Sequence, residues 1–389
     1  MNFNLLKPEV QSWLRTKLNE DYRKISLSKS DFENISSAEL AQQLKGLKIA
    51  KSKFPFLFEA ESVYYPPSVN LEQASSQATA LYKSNLYKGD LLIDLTAGMG
   101  VDAAFFSKKF TKVIAVERNP ELCEISAYNY KQLKIENLAY CNSNFEDFLK
   151  AHQDLKPDLI YLDPSRRNTA GKKFLINELE PNLLEWVAPL LKISKKILVK
   201  LSPLSDLKEV LNAIRQISEI HLIAVKNEMK ELLILIENQA ISNPKIKAVN
   251  LDSPQNEFEF EFEQEENAIV QFSEPCQYIY EPNVAVMKSG AFKLLSQVFN
   301  LKKLESNSHF YTSDEVIPAF PGRIFEVLEF IKEPKKSISG KNFHVISRNY
   351  PLSADEIRKR YKLGQSEEQS LIFSRSISGK IILRCKMIA

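Results

Sequence analysis

Between residues 90 and 237 short apolar runs alternate with helix-like segments, and this alternation limits the fold more than any other feature of the chain. LLIDL (91–95), KVIAVE (112–117), LAYC (138–141), DLIYLD (158–163) and KILVKL (196–201) read as strands. The intervening 101–109, 120–134, 145–151, about 177–192 and 205–217 read as helices, the second with Pro120 at its start. Strands separated by helices of this length pair in parallel, with helices covering both faces of the sheet. The series ends differently. IHLIAV (220–225) and KELLILIE (230–237) are only four residues apart. A link that short allows a hairpin and no crossover, so the last strand is expected to run antiparallel to its neighbour.

The flanks have another character. Residues 1–60 read as short helices, among them 8–19 and 37–45, the latter capped by Ser36 or Ser37 and stopped by Gly46. Tyr64-Tyr65-Pro66-Pro67 breaks the pattern, and 71–86 resumes it as one helix. Residues 251–270 carry seven acids and neither Lys nor Arg, and EFEFEFE (257–263) has the period of a strand. Residues 331–389 carry 13 basic and five acidic side chains, a local net charge of +8. These shifts suggest an N-terminal helical region (1–68), an α/β domain (69–240), a β-rich connection (241–310) and a basic C-terminal domain (311–389).

Composition removes several function classes. Hydrophobic residues at 44% suffice for a sizeable core in 389 residues. The four cysteines (Cys123, Cys141, Cys276, Cys385) form no CxxC pair, which argues against a disulfide scaffold or a cysteine zinc site and for a reducing, cytoplasmic setting. His152, His221, His309 and His344 form no HExxH or HxxxH pair, so no metal is expected. The N-terminus lacks the apolar core of a secretory signal, and no uncharged apolar run reaches 18 residues, so no membrane association is expected. Neither GxSxG nor GxxxxGK[ST] occurs, which leaves hydrolase and P-loop readings without a foothold.

Glycine is scarce, ten in the chain, yet two stand in one turn: LLIDLTAGMGVDAAFF places Asp94 at a strand end and Gly98 and Gly100 before a helix. Such a turn lets backbone approach a ligand closely, and the helix start favours a carboxylate or phosphate. Glu117 ends the next strand, where an acid can take both hydroxyls of an adenosine ribose. The segment also satisfies GxGxxA, so a nicotinamide dinucleotide site competes with S-adenosylmethionine as the ligand. The acid at 94 and the terminal hairpin favour S-adenosylmethionine.

At these residues the chain resembles the class I S-adenosylmethionine-dependent methyltransferases, over about residues 70–240. The resemblance implies a Rossmann-like α/β sheet of seven strands with an antiparallel last strand, here flanked by the helical N-terminus and a C-terminal α+β domain. It implies that Asp94, Thr96, Gly98 and Gly100 surround the methionine moiety, with Asp102 a further cofactor-binding candidate, that Glu117 binds the ribose with Arg118 beside it, and that Asn144-Phe145 stand where an acid and an apolar residue contact adenine. In related RNA and cap-guanosine methyltransferases a helix before the first strand covers the methionine end, which would bring Gln73, Ala74 and Ser75 to the cofactor.

DLIYLDPSRRN (158–168) ends a buried strand with Asp163-Pro164-Ser165-Arg166-Arg167. In methyltransferases of base amines this place reads Asp or Asn, Pro, Pro and an aromatic. There the acid and a proline carbonyl accept hydrogen bonds from the amine and align its lone pair with the methyl group. Asp163 and Pro164 keep that pattern, while Ser165 and Arg166 depart from it. An Arg can stack on a base or bind phosphate. DPSR is also similar to the Asp-Pro-Pro-Arg of uracil-C5 methyltransferases, but the nucleophilic cysteine those require has no counterpart in VKLSP (199–203). Asp163, Pro164 and Arg166 are therefore the expected catalytic residues, with Lys200 nearby.

YEPNVAVMKSGAF (280–292), FPGRIFEV (320–327) and NYPLSADEIRKRYKL (349–363) resemble a bacterial THUMP-like domain. THUMP domains bind RNA, which makes RNA the expected partner. Lys335, Lys336, Lys341, Arg348, Arg358, Lys359 and Arg360 are candidate phosphate contacts, and Tyr350 and Tyr361 could stack on bases. The expected activity is methyl transfer from S-adenosylmethionine to RNA, a tRNA or rRNA base. The alternatives are a small-molecule methyltransferase using the tail for dimerisation, a non-catalytic RNA-binding protein, and a nicotinamide-dependent oxidoreductase.

Overall fold

The structure, a computed structural model, describes residues 1–166 and 176–389. It divides into two compact units, 1–218 with 232–241, and 219–231 with 242–389.

In the first unit the expected strands form a parallel sheet: β1 (Gly89–Asp94), β2 (Phe110–Glu117), β3 (Leu138–Asn142), β4 (Leu159–Leu162) and β5 (Lys196–Leu201). β1 pairs with β2 and β4, β2 with β3, and β4 with β5, all in parallel. The chain thus fills one side of β1 and then crosses to the other. In such sheets the crevice at the strands' carboxyl ends beside the reversal is where ligands bind. Leu159 to Leu162 and Ile197 to Val199 are buried, which explains why these strands read as unbroken apolar runs. The hairpin follows as β6 (Ile217–Val225) and β7 (Glu228–Glu237), joined by Lys226 and Asn227; its residues 219–231 are counted with the second unit. Both have left-handed φ, 50° and 61°, the signature of a two-residue hairpin turn. β7 runs antiparallel to β5, with Lys196 opposite Glu237 and Leu201 opposite Leu232.

The N-terminal helices, including Pro8–Thr16 and Ser37–Lys53, share a core with Met99, Val101, Phe105, Leu122 and Ile125. The second runs straight through Gly46, where a stop was expected. Glycine is there for closeness: an added Cβ would lie 2.2 Å from Tyr65 Cβ. The single helix expected over 71–86 is two, Ser68–Gln73 and Gln77–Leu86. Ser76 caps the second by accepting from the Thr79 N–H at 3.2 Å, and its extended backbone breaks the run. The helix expected from about 177 starts at Leu183, where Asn182 caps it, accepting from the Leu184 N–H at 3.2 Å.

In the second unit β6 pairs in parallel with β8 (Lys245–Leu251), and β8 pairs antiparallel with β9 (Phe258–Glu261). The strand expected over 257–263 ends at Glu261, which forms a capping box with Gln264 and starts the helix Phe262–Asn267. A second sheet contains β10 (Tyr278–Pro282), β11 (Lys302–Lys303), β12 (Tyr311–Ser313), β13 (Gly322–Phe330), β14 (His344–Ser347), β15 (Ser370–Ser376) and β16 (Gly379–Met387). Their spatial order is 11-12-10-13-16-15-14, antiparallel except for β14 with β15. The helix Ala354–Tyr361 closes one face by burying Ile357 and Tyr361 against Phe373.

Candidate functional site: the carboxyl ends of β1, β2 and β4

Asp94 is the last residue of β1 and is 1% exposed. Its Oδ1 accepts from the Thr96 N–H at 3.0 Å, which turns the chain out of the strand. Burial pushes this carboxyl well above the ordinary carboxylate range, and the charges of Asp102, Asp163 and Glu117 add to the rise, against the Thr96 bond. The turn then passes through Gly98 and Gly100, with φ of +56° and +73°. A Cβ on Gly98 would meet nothing within 4 Å, so backbone borders open space at this point. A Cβ on Gly100 would fall 1.7 Å from the Tyr140 hydroxyl, so that glycine serves packing.

Glu117 ends β2 with both carboxylate oxygens engaged. Oε2 accepts from the Gly98 N–H at 2.9 Å and Oε1 from the Asn119 N–H at 2.7 Å. These bonds fix the acid beside the glycine turn. On the other side of β1, the Asp163 N–H donates to Thr96 Oγ1 at 2.6 Å. Thr96 thereby ties the acid of the Asp-Pro segment to the same turn. Asp163 Oδ2 lies 2.5 Å from Lys200 Nζ, and Lys200 projects from β5 with its side chain only 13% exposed. Pro164 is buried. Ser165 and Arg166 pair through backbone with Leu179 and Glu180. Arg167 lies outside the described residues.

Beneath the turn lies a polar cluster that sequence reasoning did not assemble. Asp102 receives Lys83 Nζ at 2.9 Å, the Ser75 hydroxyl at 2.7 Å and the Tyr161 hydroxyl at 2.8 Å. Lys83 also donates to Ser75 at 2.7 Å, and Lys200 reaches the same Ser75 at 3.4 Å. Lys83 is 0% exposed. Burial by itself would raise the Asp102 carboxyl, but the charges of Lys83 and Lys200 and the bonds from Lys83 and Ser75 hold it below the usual range. The signal for Lys83 was available in ALYKSNL. Thr79, Ala80, Lys83 and Ser84 are the buried residues of that helix, a face of small side chains with one lysine.

The remaining candidates are distributed more widely. Arg118 pairs with Glu180 at 2.8 Å, both side chains well exposed. Asn144 caps the helix Phe145–Ala151, accepting from the Asp147 N–H at 2.8 Å, while Phe145 meets Trp186 edge-on at 4.8 Å. Gln73 is exposed at the end of its helix, and Ala74 is half-buried. In the second unit Lys335, Lys336, Lys341, Lys359 and Arg360 are exposed and Arg358 is half-buried. Arg348 and Arg323 both bind the buried Glu281, Arg348 at 2.7 Å. Tyr350 and Tyr361 pack against Phe373, at 5.3 and 6.3 Å between ring centres; Tyr361 is buried in the core and Tyr350 lies half-buried at its edge. Among the described residues no cluster of His, Cys, Asp and Glu could hold a metal ion, and no helix is long and apolar enough to cross a membrane.

Residues 278–321 match a ferredoxin-like domain and residues 322–387 a THUMP domain-like family. A crystal structure from Porphyromonas gingivalis W83, titled "putative methyltransferase", is 30% identical, with a TM-score of 0.88 over 99% of this chain and 98% of that one. Curated relatives match shorter stretches. The tRNA (guanine(37)-N(1))-methyltransferase of Macaca mulatta is 28% identical over 142 residues, 36% of this chain and 26% of its own. Ribosomal RNA small subunit methyltransferase J of Bdellovibrio bacteriovorus is 35% identical over 77 residues, 19% of this chain and 31% of its own. The chain spans about a quarter to a third of the length of these curated relatives. With near-complete coverage at 30% identity, a Rossmann-like sheet and a C-terminal ferredoxin-like and THUMP-like region, the chain belongs to the family of the Porphyromonas gingivalis protein.

Proposed function

We propose that the protein transfers a methyl group from S-adenosylmethionine to RNA. The observation that carries this reading is the convergence of three acids on one turn: Asp94 from β1, Glu117 bound to Gly98, and Asp163 bound to Thr96. The residues present fit the donor. Gly98 borders open space, Glu117 is held at the strand end where a ribose diol is taken, and Asp94 is fixed at the foot of the turn by the Thr96 N–H. Asp94, Thr96 and the Gly98–Gly100 turn would hold the methionine part and Glu117 the ribose. Asp102 and Ser75 would act from beneath, since their polar atoms already serve each other and Lys83. When bound, the donor supplies an electrophilic methyl group on sulfur.

What the chain adds is placement. Asp163 and Pro164 sit one strand from the turn, so an acceptor hydrogen-bonded to Asp163 would face the donor across Thr96. RNA is supported by the THUMP-like region and by the RNA methyltransferases among the relatives. Exposed Lys335, Lys336, Lys359 and Arg360, with Arg358, would contact phosphates. The test is transfer of labelled methyl from S-adenosylmethionine to total RNA. Wild type labels RNA; Asp163→Ala abolishes labelling while donor affinity stays within a few-fold. Charge reversal at Arg358 and Arg360 weakens RNA binding and flattens its salt dependence. Unlabelled RNA in the presence of bound donor refutes the reading.

A further inference from the structure

We infer that the acceptor is an atom bearing one acidic proton, a lactam ring nitrogen of a base or a ribose 2′-hydroxyl, and that Lys200 is the positioning residue that selects it over an exocyclic amine. The inference rests on the proposed RNA methyl transfer. Lys200 Nζ lies 2.5 Å from Asp163 Oδ2, so an acceptor hydrogen-bonded to Asp163 meets an ammonium where the amine-directed pattern has none, and Ser165 replaces the second proline of that pattern.

Charge points the same way. An amine nitrogen gains positive charge as it takes a methyl group, and a neighbouring ammonium opposes that. A lactam nitrogen or a hydroxyl that gives up its proton gains negative charge, shared in the lactam with its carbonyl oxygen, and an ammonium stabilises it. Lys200 is held for this task. It comes from a central strand, its side chain is 13% exposed, and Ser75 meets its ammonium at 3.4 Å from the Lys83–Asp102 cluster. In the transfer the acceptor–carbon bond forms as the carbon–sulfur bond breaks, and sulfur keeps the electron pair. The acceptor proton passes to Asp163 and on to solvent, with which Asp163 is in contact at 34% side-chain exposure. Lys200 keeps its proton throughout.

The experiment joins product identification with binding. RNA labelled by the wild-type protein is digested and its methylated nucleosides identified by mass spectrometry. A ring-nitrogen-methylated base or a 2′-O-methylated nucleoside is expected, and the two distinguish the sources of the acceptor. A methyl on an exocyclic amine or on carbon overturns the inference while leaving RNA methyl transfer intact; no RNA product removes the underlying reading instead. Lys200→Met should lower the single-turnover rate at least 100-fold with RNA and S-adenosylhomocysteine affinities within threefold, and Lys200→Arg, which keeps the charge, should restore at least a tenth of the rate. A Lys200→Met protein with an unchanged rate, or one whose loss follows RNA affinity alone, contradicts the role.

Discussion

The two glycines of the β1 turn look alike in sequence, yet the structure gives them different tasks, and alanine substitutions separate them. Both have positive φ, +56° at Gly98 and +73° at Gly100, so each alanine incurs about 1–2 kcal/mol of backbone strain. At Gly98 nothing more is added to the folded protein, because the Cβ points into open space. At Gly100 the Cβ would stand 1.7 Å from the Tyr140 hydroxyl, 2.9 Å from its Cζ and 3.1 Å from Tyr130 Cε2. Neither ring gives way freely. They stack at 6.1 Å with 8° between planes, and the Tyr130 hydroxyl donates to the Met99 carbonyl at 2.8 Å. Overpacking adds about 1–3 kcal/mol, for a total of about 2–5 kcal/mol. Urea denaturation reads both values. Calorimetry with S-adenosylhomocysteine should show the reverse order: Gly98→Ala fills donor space and weakens binding at least tenfold despite its milder effect on stability. Equal stability losses, or full donor affinity in Gly98→Ala, would refute the assignment.

Two further predictions concern buried charge. The folded-state pKa of Asp94 is raised above its unfolded value, so its contribution to stability is complete below the ordinary aspartate range of about 3.9 and is lost as pH rises toward the folded value. Asp94→Asn, which still accepts from the Thr96 N–H, should therefore gain stability relative to wild type as pH increases from 4 upward; urea melts across pH that run parallel contradict the burial argument. Lys83→Met leaves the Asp102 carboxylate buried without its cation and should cost about 3–5 kcal/mol. Adding Asp102→Asn should recover part of that loss in a double-mutant cycle, and strict additivity would show that the two do not interact.

Much of this arrangement is legible in the chain because it lies in periodic segments. The strands ending at Asp94, Glu117 and Asp163 are apolar runs closed by an acid, and a short link before the last strand allows only a hairpin. What escapes is set by contacts far apart in sequence. Gly46 looks like a helix stop until Tyr65 is seen against it. Lys83 and Asp102 are 19 residues apart and meet only once the helix and the turn pack together. Tyr350 and Tyr361 are indistinguishable in sequence from base-stacking rings, yet both pack on Phe373, which buries Tyr361 and half-buries Tyr350. Ser76 and Glu261 show the opposite case: local capping overrides a longer periodic pattern, and the capping signal is itself written in the sequence.

The central claim is that Glu117 grips the donor's ribose beside the paired glycines. Isothermal titration of S-adenosylhomocysteine into wild type and Glu117→Ala tests it directly, with NAD as the competing ligand. The account predicts binding in the micromolar range to wild type, a loss of at least tenfold in the variant, and no heat from NAD. Absent binding, undiminished affinity in Glu117→Ala, or saturable binding of NAD would contradict it.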